Sequence, residues 1–251
     1  MEDAVRIAKS VELGSRDAVE LNDIRDARSV HPSVDHAEIV VVRHGQTDWN
    51  VDYRIQGHLD VKLNEVGRQQ TRAVTDRLSK EREISTIYSS DLKRAIETTE
   101  VIAATCGVRE VIKDPDLREQ NPGKLQGLSG IEAASLYPQI YEAYRSRRWD
   151  QEIPGGESKD QVYRRCTSCL QNIGLKHKGQ RVATVTHGGV LQTLHARACP
   201  NNQPVKFLNT SVSIFHLSDG DNWVFKSKGD ISHLNQIDYL RTGFGGDRSS
   251  S

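Results

Sequence analysis

The sequence predicts a three-layer α/β/α sandwich with a mostly parallel central sheet and a helical insertion over the site. Three observations carry this. Short apolar runs rich in Val, Ile and Thr alternate with longer stretches of helical periodicity, the pattern of strands joined by crossover helices. No internal repeat recurs, and no linker divides the chain. Two of the apolar runs end alike, in Val42-Arg43-His44-Gly45 and in Val185-Thr186-His187-Gly188. Ligands in open α/β sheets bind at the carboxyl ends of strands, where both of these His-Gly pairs fall.

The elements follow in order. Residues 1–36 are polar with scattered Val, Ile and Leu, and read as an N-terminal arm, helical or disordered. His31-Pro32 breaks any helix there, because the residue before proline disfavours it. Ile39 to Val42 are all β-branched, which suits a strand buried on both faces. Residues 64–79 read as helix, with Asn64 as N-cap and Val66, Ala73, Val74 and Leu78 partly on one face. Ile84 to Tyr88 read as a strand, and Leu92 to Cys106 as a helix stopped by Gly107. Val111-Ile112 is a short strand. Residues 120–156 are rich in Gly, Pro, Arg and Tyr and read as a helical insertion with loops, in which Arg145, Arg147 and Arg148 form a solvated helix face. Gln161 to His177 form a long helix, Arg181 to Thr186 a strand, and Val190 to Cys199 a helix. Ser211–Leu217 and Trp223–Lys228 pair around Asp219-Gly220. One domain therefore spans 37–241, and 242–251 form a flexible Gly/Ser-rich tail.

Composition narrows the function. The 251 residues hold 34 Lys and Arg against 34 Asp and Glu, a neutral balance that argues against a nucleic-acid partner. No apolar run reaches the roughly 20 residues that cross a membrane. Glu2, Asp3, Glu12, Asp17 and Glu20 sit where a secretory signal would be apolar and a transit peptide poor in acids, so a cytoplasmic location is expected. Cys166-x-x-Cys169 lacks the second close pair that would complete a zinc site, and it lies inside a helix rather than opening one as redox pairs do. Reduced thiols packed on a helix, and no metal, are expected.

The chemistry lies in the two strand–His–Gly units. Arginine offers a planar fork of donors that matches phosphate oxygens. Histidine becomes a nucleophile when its other ring nitrogen is held by a hydrogen bond. Gly45 leaves room for an anion to approach the backbone. The helix after His187 adds N-terminal donors and positive potential. Neither a P-loop nor an H-E-x-x-H zinc pattern is present.

These motifs resemble those of the histidine phosphatase superfamily, the phosphoglycerate mutase-like family. The resemblance spans roughly residues 37–235. It rests on Arg43-His44-Gly45 with Trp49-Asn50, on Arg54-Ile55-Gln56-Gly57, and on Ser89-Ser90-Asp91-Leu92-Lys93-Arg94-Ala95 with Glu97-Thr98. It continues in Leu117-Arg118-Glu119, Gly155-Gly156-Glu157-Ser158 and the His187 unit. It implies that His44 becomes phosphohistidine and that Arg43, Arg94 and His187 bind the phosphoryl oxygens. Asn50 and Gln56 add neutral donors, with Gly57 and Gly188 beside the same group. Glu119 protonates the leaving oxygen and then activates water. No cofactor is implied, and the partner is a small phosphorylated metabolite. Likeness to plant phosphoglycerate mutase-like proteins and metal-independent phosphoserine phosphatases makes phosphoserine the first substrate to consider. The chain is expected to be a monomer or a homodimer.

Two other readings stay open. One is a mutase that uses 2,3-bisphosphoglycerate, which Gly123-Lys124-Leu125-Gln126-Gly127-Leu128 resembles. The other is a non-catalytic or phosphoprotein-directed member. Against the mutase, the resemblance calls for Glu-Arg-His at the acid, whereas Glu119 is followed by Gln120 and Asn121. The basic, proline-rich segment of mutases is replaced by the short, acidic Asp150 to Pro154.

Overall fold

The computed structural model describes residues 35–199, 205–219 and 222–234, so nearly all of the arm at 1–36 and the whole tail at 242–251 lie outside the described residues. In chain order the elements are β1 (His36–Arg43), α1 (Asp48–Val51), α2 (Glu65–Ser79), β2 (Thr86–Ser89), α3 (Lys93–Cys106) and β3 (Val111–Lys113). They continue with α4 (Gly130–Leu136), α5 (Pro138–Arg145), α6 (Lys159–Lys176), β4 (Arg181–Thr186), α7 (Gly188–Ala198), β5 (Val212–Ser218) and β6 (Asn222–Asp230). The sheet order is β3-β2-β4-β1-β5-β6. β3, β2, β4 and β1 are parallel neighbours, and β5 is antiparallel to both β1 and β6. Among the described strands β5 alone runs against the rest, which is the mostly parallel sheet that the alternation of elements predicts.

The continuous apolar run of β1 has a plain cause. Ile39 and Val41 face one layer, where they pack with Val162, Leu170 and Ile173 of α6 and Leu191 and Leu194 of α7. Val40 and Val42 face the other layer, with Val74 and Leu78 of α2 and Ala95 and Ile102 of α3. A strand between two helical layers has no wet face, so alternation vanishes. Both cysteines of the Cys-x-x-Cys pair are free thiols buried in the α6 layer. Burial pushes the Cys166 thiol up to about 12 and raises that of Cys169 as well, which leaves both poor nucleophiles at neutral pH.

Capping explains where several helices begin. The Asn64 side chain accepts from the Gly67 N–H to start α2. Ser158 and Gln161 form a capping box, so α6 opens at Lys159, two residues before the start expected from apolar periodicity. The same device at Thr47 and Asn50 builds α1, a single turn with too few residues for periodicity to reveal.

The insertion has its own small core. Ile55, Leu125 and Ala133 are buried together, with Ile140, Tyr141 and Tyr144 packed against them. Arg54 ties it down by donating to the Gly127 carbonyl at 2.8 Å and to Glu132 Oε2 at 2.9 Å. One expectation changes here. α5 ends at Arg145, and Arg147 and Arg148 lie beyond it, so the three arginines do not share a helix face. Ser146 leaves the helical conformation, and Arg148 folds back onto Asp150 at 2.9 Å. No described helix is long and apolar enough to cross a membrane.

Candidate active site

β1 and β4 are parallel neighbours in which Arg43 pairs with Thr186, so the next residue of each strand emerges side by side. The His44 N–H donates to the Thr186 carbonyl at 2.9 Å, and the His44 and His187 rings lie 5.1 Å apart between centroids. Nδ1 of His44 is 2.7 Å from the Gly45 carbonyl oxygen. A carbonyl only accepts, so Nδ1 carries the ring proton and Nε2 keeps its lone pair. Burial first, then Arg94 and Arg43, hold the His44 pKa well below its ordinary value. The ring is therefore neutral and nucleophilic at physiological pH.

Gly45 has a different reason from the expected one. A Cβ there would sit 2.6 Å from the Gly67 carbonyl oxygen and 2.8 Å from Thr71 Oγ1. The missing side chain lets the start of α2 press against the loop after β1; it does not open space for an anion.

Two buried guanidiniums flank His44. Arg43 Nη1 donates to the Phe207 carbonyl at 2.7 Å. Arg94, in the first turn of α3, is fully buried and donates to the carbonyls of Gly57 at 2.8 Å and Leu59 at 3.0 Å. Its Nε has no hydrogen-bond partner among the described residues, which leaves donor capacity for a ligand. Burial lowers each pKa to about 10, opposed for both by the charge of Glu119, so both remain cationic at neutral pH. Asn50 Oδ1 accepts from the Thr47 N–H and hydroxyl and from Asn209, so its NH2 is the group left for the cleft.

Glu119 follows the 3₁₀ turn Pro115–Leu117, which is anchored to β4 by the Thr186 hydroxyl on the Leu117 carbonyl at 2.7 Å. Its carboxylate accepts from the Gln120 N–H at 2.9 Å and from the Gly189 N–H at 3.1 Å. The α7 N-terminus thus spends one of its free donors on Glu119, where the sequence suggests a bound anion.

Arg43, His44, Asn50, Gln56, Gly57, Arg94 and Glu119 line one cleft together with Ile55, Gln120 and Tyr144. His187 and Gly188 are buried next to this cleft, with the His187 ring against that of His44, and are not among its lining residues. His187 Nε2 is 2.8 Å from the Ser90 hydroxyl, and its Nδ1 is buried without a partner among the described residues. Burial and then Arg94 hold its pKa well below the ordinary value too. Among the described residues no three His, Cys, Asp or Glu side chains gather to hold a metal ion.

The pattern of the histidine phosphatase superfamily (branch 1) matches residues 39–230. The chain belongs to this superfamily. It is similar to phosphoglycerate mutase-like protein 4 of Arabidopsis thaliana, 55% identical over 229 residues, which cover 90% of this chain and all of that one. A metal-independent phosphoserine phosphatase of Arabidopsis thaliana is 48% identical over 211 residues, covering 84% of this chain and 88% of the relative. Among solved structures, YhfR of Bacillus stearothermophilus superposes with a TM-score of 0.73 at 32% identity, over 79% of this chain and 99% of that one.

Several residues of this histidine phosphatase site gave no signal in the sequence. Tyr144 reaches the cleft from α5, deep in the insertion. Asn209 donates to the His44 carbonyl at 3.1 Å from 165 positions away. The next residue, Thr210, holds a φ of 57° and donates its N–H to the Arg43 carbonyl at 3.0 Å. Ser90 lies within a quoted motif, yet its hydroxyl's contact with His187 needed the fold. His58 Nε2 meets the Glu119 carbonyl at 2.8 Å.

Proposed function

We propose that this protein is a metal-independent phosphomonoesterase that acts on a small phosphorylated metabolite, phosphoserine first, by way of phosphohistidine at His44. The observation that carries this reading is the His44 ring itself. Its Nδ1–H is committed to Gly45, and its basic nitrogen is kept unprotonated among two buried arginines.

In the first step the Nε2 lone pair forms a bond to phosphorus while the ester P–O bond breaks. The carboxyl proton of Glu119 passes to the leaving oxygen. In the second step water attacks phosphorus, Glu119 takes its proton, and the P–N bond breaks with its electrons returning to Nε2. Inorganic phosphate and the starting enzyme result. Arg43, Arg94, Asn50, Gln56 and the imidazole of His187 stabilise the equatorial oxygens, where charge accumulates in phosphoryl transfer. Two fixed guanidiniums supply the positive charge that other phosphatases draw from a metal, in keeping with the metal-independent phosphoserine phosphatase among the relatives.

Hydrolysis is favoured over mutase chemistry by the part of the cleft lining beyond the phosphate-binding groups and Glu119. Ile55, Gln120 and Tyr144 line it and carry no charge. Gln120 stands where the resemblance calls for an arginine, and its Nε2 is donated to the Glu157 carbonyl at 2.8 Å. A glutamine cannot replace the bidentate anion contact of a guanidinium.

The test is phosphate release from a panel that includes phosphoserine and 3-phosphoglycerate, in excess chelator, beside His44→Ala. Turnover that survives chelation, vanishes in the variant and passes through acid-labile phosphoprotein is expected. Interconversion of 3- and 2-phosphoglycerate with added bisphosphoglycerate, and no hydrolysis, would overturn the reading.

A further inference from the structure

The loop that carries Glu119 is held far more tightly than an exposed turn requires. Arg165, on α6, donates to three of its carbonyls: Asp116 at 2.7 Å, Arg118 at 2.8 Å and Glu119 at 2.9 Å. Glu157 grips the same guanidinium with both oxygens, accepting from Nε at 2.8 Å and from Nη2 at 3.0 Å. It also accepts from the Asn121 N–H at 2.8 Å, and its own N–H donates to the Asn121 carbonyl at 2.7 Å. From the other side His58 Nε2–H donates to the Glu119 carbonyl, which only accepts. Burial by itself would raise the Glu157 carboxyl, but Arg165, Asn121 and His58 outweigh it and hold the group below its ordinary range.

Apart from the Arg165–Glu157 pairing itself, these bonds end on backbone at or flanking Glu119, and none of Arg165, Glu157 and His58 lines the cleft. Glu119 itself reaches the cleft on a flexible side chain whose carboxylate is held by two N–H groups. Proton transfer to a leaving oxygen needs hydrogen-bond reach, and a misplacement of about 1 Å costs on the order of 100-fold. We propose that Glu157 and Arg165, braced by His58, are positioning residues that set the Glu119 carboxyl at the distance needed to protonate the leaving group. The proposal rests on the reading of Glu119 as general acid.

The leaving group separates this role from a structural one. p-Nitrophenyl phosphate releases a stable anion and needs no proton from the enzyme. An alkyl ester releases an alkoxide that must be protonated. The readout is kcat/KM, which covers the steps through departure of the leaving group. It is measured on p-nitrophenyl phosphate and on phosphoserine, or on the best alkyl phosphate of the panel if phosphoserine is not turned over. The proteins are wild type, Glu119→Gln, Arg165→Gln, Arg165→Lys and Glu157→Gln, each checked for its thermal midpoint.

For Arg165→Gln and Glu157→Gln the expected loss is about 100-fold on the alkyl ester and no more than about threefold on the aryl ester. Arg165→Lys, which keeps the charge but not the fork, recovers part of the alkyl activity. If Glu119→Gln shows the alkyl-selective loss and the clamp variants lower both esters alike or neither, the proposal is overturned while the acid reading stands. If Glu119→Gln itself shows no selectivity, the acid reading fails and the proposal with it. Loss of the fold in all three clamp variants also overturns it, because the contacts would then serve stability alone.

Discussion

Gly189 and Glu119 are in contact across the cleft wall: the Gly189 N–H donates to Oε2, and a Cβ on Gly189 would sit 2.3 Å from Oε1. The absent side chain at the start of α7 is therefore part of what places the Glu119 carboxylate. Gly189→Ala should push the carboxylate aside while improving the helix by about 1 kcal/mol. The expected outcome is an unchanged or higher thermal midpoint with about a 100-fold loss of alkyl ester turnover. Full activity in a folded Gly189→Ala enzyme would show that the carboxylate's place is not critical.

Ser90 Oγ lies 2.8 Å from His187 Nε2 and accepts from the Leu92 N–H at 3.3 Å. When the hydroxyl places its one hydrogen on Nε2, the neutral ring carries its proton on Nδ1, an atom without a partner among the described residues. Ser90→Ala should release this tautomer and weaken inhibition by inorganic phosphate about fivefold, the worth of roughly one neutral hydrogen bond. Nitrogen-15 shifts of the His187 ring and the phosphate inhibition constant measure the two effects.

Asn209 joins His44 to Asn50 by donating to both the His44 carbonyl and Asn50 Oδ1. Asn209→Ala leaves buried acceptors short of a donor and should cost about 1–3 kcal/mol of stability. Urea unfolding reads that loss. A matching fall in kcat is expected because the His44 backbone loosens. A variant as stable and as active as wild type would remove Asn209 from the site.

Acid should unfold this protein early. His44 and His187 stay neutral in the folded state well below the ordinary histidine pKa. The unfolded chain protonates both near pH 6.5, so below that value it binds more protons, and stability falls as pH falls. Each residue contributes a slope of about 1.4 kcal/mol per pH unit below about pH 6. His233, lowered to about 4 mainly by burial, acts in the same direction. Glu81, Glu157 and Asp91 are held below their ordinary values, so their losses come at lower pH. Urea unfolding at pH 6 and pH 5 should show the drop, and His187→Asn should remove about 1.4 kcal/mol per pH unit of it. A flat profile between pH 6.5 and 5 would contradict the neutral, buried imidazoles.

The sheet and its helices were legible because each element carries a local signal. Val40 and Val42 face one layer and Ile39 and Val41 the other, so the run without alternation reads correctly as a strand buried on both sides. Asn64 and Gly107 bound their helices by capping chemistry that a sequence displays openly. α1 was not legible, because four residues are too few for periodicity. The separation of the three arginines after Tyr144 was not legible, because no local signal marks the end of α5 at Arg145.

The sequence by itself displayed the candidate groups and the family: a histidine after each of two buried strands, the arginines beside them and a carboxylate on a loop. Those residues are recognisable because reactive side chains must stand at strand ends and turns, and such places have local signatures. Only the tertiary structure decided what each group does to its neighbour. Placing β4 beside β1 set His187 against His44, packing α7 against the acid loop gave Gly189 to Glu119, and α6 brought Arg165 to three carbonyls of that loop. These partners lie tens of residues apart in sequence, and which strand or helix becomes a neighbour is settled by burying both faces of the sheet at once. No single segment encodes that choice.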